Sequence, residues 1–205
     1  MCLRFPEDSH QQGPSAYTFD WRFRRLRRRK VNGADSVMWA LERNWNMVDA
    51  ALEGLDDATL TRQPAEHSNS IAWILWHMNH VVDTFINTRL QSKRDLWVRD
   101  GWHQKFGIDE RARIMGYTAE ELTAWVAPSK EVQQGYYEAV KSAAKEYISS
   151  LTTEDLSRRV TFPPEAETRE HSVATALGQL VWDNVAHGGQ IAYLRGLYMG
   201  LGWHR

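Results

Sequence analysis

Apolar residues recur every three or four positions through several stretches of the chain, the spacing that lines one side of an α-helix. The first such stretch runs from about Asp35 to Leu52, with Val37, Leu41, Trp45, Val48 and Leu52 in step. A second helix is expected over about Ser70 to Leu90, in SIAWILWHMNHVVDTFINTRL. A short helix should follow over TAEELTAWV, where Thr118 and Glu121 have the spacing of a capping box. Two more long helices are expected over about Ser129–Leu151 and Ser172–Leu201. Between the first two, Gly54 ends a helix, Pro64 prevents its resumption, and Ser68 or Asn69 can cap the next.

The connections are informative too. DLWVRDGWHQKFGIDERARIMGYT is aromatic, glycine-bearing and too long for a turn, which suits a crossover or a cover. TTEDLSRRVTFPP reads as a capped turn and then an extended piece. No segment alternates convincingly as a strand. Long helices with one long connection in the middle imply an all-α fold, a four-helix bundle with a long crossover connection, over residues 33–205. Residues 1–32, polar and then basic, read as an N-terminal extension outside the bundle.

Charge sharpens that division. The chain of 205 residues has a formal net charge of -1, yet residues 1–32 hold eight Lys/Arg against three Asp/Glu, a net +5 that leaves -6 for the rest. The run RFRRLRRRK suits a solvated tail, with nucleic acid as the less favoured partner because the body of the chain is acidic and shows no nucleic-acid motif. Cys2 is the single cysteine, so no internal disulfide forms. No apolar run is long enough to span a bilayer, and the arginines near the N-terminus precede no signal-like apolar segment. A cytoplasmic protein without a membrane partner is the expectation. The ten Trp residues should largely fill core volume.

Within these helices, some polar residues occupy apolar stripes. On the last, steps of three and four join Ala176, Leu180, Asp183, His187, Gln190 and Leu194. On the second, His77 lies between Ile74 and Val81 in the same manner. A histidine on an apolar face is commonly a hydrogen-bonded core residue, and an Asp/His pair one turn apart can simply bond to itself. Imidazoles and a carboxylate sharing a bundle interior are equally a metal-ligand set for Zn, Ni, Fe or Mn, and three protein donors leave coordination positions open. Gly188 and Gly189, each costing about 1 kcal/mol in helix propensity, would let a neighbouring helix or a substrate approach the backbone.

NSIAWILWHMNHVVD followed, after a long insertion, by DNVAHGGQIAYLRGL resembles the DinB/YfiT-like metalloenzymes over roughly residues 33–202. The resemblance implies a metal held by His77, Asp183 and His187. Asp183 stands where the first histidine of a His-x3-His pair is expected, which keeps a donor and makes it anionic. His80 and Gln190 are then expected as supporting residues around the ligands. His103 lies on the connection that can cover the site, and Tyr193 and Arg195 are weaker candidates for holding an acidic group. The resemblance further implies thiol-dependent transfer with a low-molecular-weight thiol, on a small-molecule substrate, and a homodimer. A non-catalytic binding or stress-response protein with weakened or lost metal is the alternative that the Asp183 departure motivates.

Overall fold

In the computed structural model, residues 31–161 and 170–204 are described. The basic run of the extension therefore lies outside the described residues. Helix α1 (Gly33–Leu52) begins on a capping box, in which Asn32 accepts from the Ala34 amide and Asp35 accepts from the Asn32 amide. Its chain leaves through Gly54, whose φ of +71° is left-handed backbone that glycine adopts without strain. The connector contains one helical turn, α2 (Asp57–Thr61), capped by Asp56.

Helix α3 (Ile71–Asp83) is capped by Ser70 rather than by Ser68 or Asn69 as expected, and every one of its residues is buried. It does not stay α-helical to Leu90. Residues Thr84–Arg89 form a π-helical turn, which gives the core three consecutive buried residues, Phe85, Ile86 and Asn87. The crossover holds α4 (Leu96–Arg99), α5 (Trp102–Phe106) and α6 (Ala119–Ala124), the last on the capping box of Thr118 and Glu121. Helices α7 (Lys130–Ser150) and α8 (Thr153–Ser157) follow. A two-stranded antiparallel ribbon, β1 (Arg159–Thr161) with β2 (Glu170–Ser172), corrects the expectation of no strands. Three residues per strand are too few to show a period in sequence. Helix α9 (Val173–Met199) closes the fold, capped by Ser172.

Contacts at the helix ends fix their directions. Lys130 at the start of α7 donates to the Leu55 carbonyl just past α1, while Asn32 before α1 donates to Leu151 after α7. These two helices are antiparallel. Asp83 and Tyr136 meet early in α7, and Arg158 reaches Leu90, so α3 and α7 run the same way and need the crossover between them. Among the described residues, no helix is long and apolar enough to cross a membrane.

One buried carboxylate organises the crossover. Asp83 accepts from the amides of Leu96 (2.9 Å) and Trp97 (2.8 Å), from Asn87 Nδ2 (2.7 Å) and from the Tyr136 hydroxyl (2.9 Å). It ties α3, the N-terminus of α4 and α7 together at one point. Burial raises its pKa, and the four donors oppose that rise. Trp97, fully buried, then packs against Trp76, Phe106 and Tyr136.

The close approach proposed for the glycines is met by one of them. Asn44 of α1 donates from Nδ2 to the carbonyl and the side chain of Asn184 on α9, both at 2.8 Å. A Cβ at Gly188 would stand 2.0 Å from Asn44 Oδ1, so the two helices meet only because residue 188 has no side chain. At Gly189 a Cβ would meet nothing within 4 Å.

Candidate metal centre

Helix α9 runs antiparallel to α3, since Ile74 shares a cavity wall with Gln190 and Leu194 while His77, one turn on, faces Asp183 and His187. Helical spacing brings Asp183 and His187 together on α9, and the antiparallel register brings His77 to them. His187 Nε2 lies 3.6 Å and His77 Nε2 4.0 Å from Asp183 Oδ1. One ligand atom from each residue falls within 4.8 Å of the others, so the three form a group that can hold a metal ion. Donors about 2.0–2.2 Å from a tetrahedral centre are separated by about 3.4 Å, close to the 3.6 Å between His187 and Asp183 and shorter than the 4.0 Å between His77 and Asp183.

Both imidazoles are oriented from behind. His77 Nδ1 is bonded to the Ile114 carbonyl of the crossover. His187 Nδ1 is bonded to Gln190 Oε1 at 2.8 Å. Each acceptor requires a proton on Nδ1, which leaves the Nε2 lone pair facing Asp183. The His77 ring is further held by Trp73, one turn earlier, which stacks on it with an interplanar angle of 4° and centroids 5.3 Å apart. The His187 ring lies nearly perpendicular to that of His77, with centroids 4.6 Å apart.

The electrostatics favour a cation at the centre. Burial is the main cause that lowers the His77 pKa, keeping the imidazole neutral and its lone pair available. The His187 pKa is raised, chiefly by Asp183 and against the effect of burial. Asp183 Oδ2 is buried and has no hydrogen-bond partner among the described residues. A carboxylate with one oxygen orphaned and the other facing two nitrogen lone pairs calls for a positive charge, and a divalent ion supplies it.

A model of the DinB superfamily matches residues 40–191. The chain belongs to the DinB superfamily. A solved structure described as the conserved protein of locus from Enterococcus faecalis shares its fold, with a TM-score of 0.71 and 24% identity over 83% of this chain and 99% of that one. No curated protein matches significantly.

The other candidates in this DinB-superfamily chain fall into different surroundings. Gln190 supports His187 as described. His80, expected as a supporting residue, is buried, with its ring 4.7 Å from that of Trp97, and its Nδ1 lacks a partner among the described residues. Burial pushes its pKa down to about 3. Trp97 of the crossover covers the flank that the helical pattern alone left open. It is not in the three-residue group. His103 bonds the Trp97 carbonyl at 3.0 Å and also lies outside the group. Arg195 is half-buried, with Nε and Nη1 unpartnered among the described residues, and Tyr193 is exposed on the rim of a cleft. Two contributors were not anticipated. Trp73 was readable as the residue one helical turn before His77, whereas the Ile114 carbonyl is backbone and leaves no signature in side-chain type.

Proposed function

We propose that this protein is a divalent-metal-dependent enzyme whose ion is held by His77 Nε2, Asp183 and His187 Nε2 between α3 and α9. The observation that carries the reading is the orphaned Oδ2 of Asp183 beside two imidazoles whose lone pairs face it. A Zn, Ni, Fe or Mn ion with these three donors keeps open positions and acts as a Lewis acid toward a bound water or thiolate. The protein's share is to hold both Nε2 atoms in place through Ile114 and Gln190, to place an anionic oxygen between them, and to shield His77 from solvent under Trp73.

The resemblance to thiol-using DinB-like proteins supports the more specific reading, a thiol-dependent S-transferase acting on a small molecule. The sequence has no cysteine besides Cys2, so the thiol would come with the substrate.

Metal analysis of protein purified without added metal is the test. About one equivalent per chain, lost in both His77→Ala and His187→Ala, is the expected result. A folded protein that carries no metal and refuses added Zn, Ni and Mn would replace this reading with the non-catalytic one that Asp183, in place of a histidine, invites.

A further inference from the structure

Gly188 has a packing reason, and Gly189 has none. A Cβ at 189 would meet no atom within 4 Å among the described residues, yet the position keeps glycine, which costs about 1 kcal/mol relative to alanine in a helix interior. What Gly189 borders is a cleft of about 420 Å³, lined by Asn69, Ile74, Ala186, Gln190, Tyr193 and Leu194 as well. Ile74 and Leu194 are buried and form an apolar floor, while Asn69, Gln190 and Tyr193 bring amides and a hydroxyl. Among the described residues, no side chain that carries a charge lines it.

The cleft adjoins the candidate metal centre through its own residues. Ile74 is one turn before His77, and Ala186 and Gly189 flank His187 on α9. Gln190 belongs to both, since its Oε1 accepts from His187 while the residue lines the cleft. With that oxygen engaged, the Gln190 amide N–H groups remain to donate to a ligand.

We propose that this cleft is the substrate subsite of the metal centre, and that it takes an uncharged group with an apolar body and an amide or hydroxyl, with Gly189 setting the size admitted. The proposal rests on the metal-centre reading only for the role of the bound group, because the cleft exists without the ion. An ionised group would lose its hydration there and gain no counter-charge. A side chain at 189 would project into the space the ligand fills.

The probe is 4-fluorobenzamide, followed by fluorine NMR with the full chain after chelator treatment, against 4-fluorobenzoate as the charged comparator. The amide should bind at least tenfold more tightly than the carboxylate. Gly189→Leu should weaken amide binding tenfold or more while Zn uptake stays at the wild-type level, with Gly189→Ala giving a smaller loss in the same direction. Mn added to wild type should broaden the bound fluorine signal, and His187→Ala should abolish that broadening while still binding the amide. Equal binding of the two probes, no binding of the amide, or unchanged affinity in both Gly189 variants overturns the subsite. Amide binding that follows the Gly189 series in a chain unable to take up Mn or Zn upholds the cleft and overturns the metal centre instead.

Discussion

His77 on α3 bonds the Ile114 carbonyl of the crossover through Nδ1, so a loop residue 37 positions away decides which nitrogen faces α9. A carbonyl only accepts, which places the proton on Nδ1. Gln190 Oε1 imposes the same state on His187. Long-range nitrogen–proton NMR of the metal-free protein, at a pH high enough that His187 is neutral despite the rise Asp183 causes in its pKa, should therefore show both rings as Nδ1–H tautomers, and added Zn should move the Nε2 resonances of both. An Nε2–H tautomer in either ring would contradict the arrangement.

The two glycines should respond in opposite senses. Gly188→Ala drives a methyl into the Asn44 amide and breaks its two bonds to Asn184, at a cost of about 2–4 kcal/mol. Gly189→Ala meets open space and should be neutral or stabilising by up to about 1 kcal/mol. Urea unfolding of the two variants separates them. Equal effects would mean that helix propensity, not the Asn44 contact, governs residue 188.

Acid should weaken the fold through His80. Its folded pKa of about 3 lies below the ordinary 6.5, so the unfolded chain takes up a proton more readily. Stability from this group is complete above pH 6.5 and is lost as pH falls toward 3, at up to about 1.4 kcal/mol per pH unit. His80→Phe keeps a ring beside Trp97 and cannot titrate. Its stability should fall less steeply than that of wild type between pH 6.5 and 4, as denaturant melts at stepped pH will show; parallel slopes would count against a buried neutral His80.

Removing the carboxylate at residue 83 should loosen the crossover. Asp83→Ala strands two backbone amides, the Tyr136 hydroxyl and Asn87 Nδ2, with an expected loss of at least about 3 kcal/mol. Hydrogen exchange should localise the loss to the amides of Leu96 and Trp97. Protection unchanged at those two positions would show that α4 does not depend on Asp83.

Much of this architecture could be read from spacing. The stripes through Leu41, Trp45 and Val48 and through Ala176 and Leu180 gave the long helices, because periodic apolar residues have one way to be buried together. The pairing of Asp183 with His187 followed from a single helical turn. His77 joined them on the strength of a family resemblance, since nothing local tells α3 which residue it will face on α9. What escaped was non-local or backbone in origin. The donors gathered by Asp83 come from residues 13, 14 and 53 positions away, apart from Asn87 one turn on. The burial of His80 depends on where Trp97 lands. The π-helical turn after Asp83 follows no side-chain periodicity, and the β1–β2 ribbon is too short to display one.

Gln190 is asked to serve two masters, an imidazole on one side and a hollow on the other. Whatever recruits its amide from the hollow changes how firmly the imidazole is steered, and thermodynamics makes that influence mutual. If occupancy of the hollow tightens the grip on an ion by some factor, the ion must tighten the hollow's grip on its occupant by the same factor. Selectivity for a guest and selectivity for an element would then be two readings of one equilibrium, joined at a single side chain.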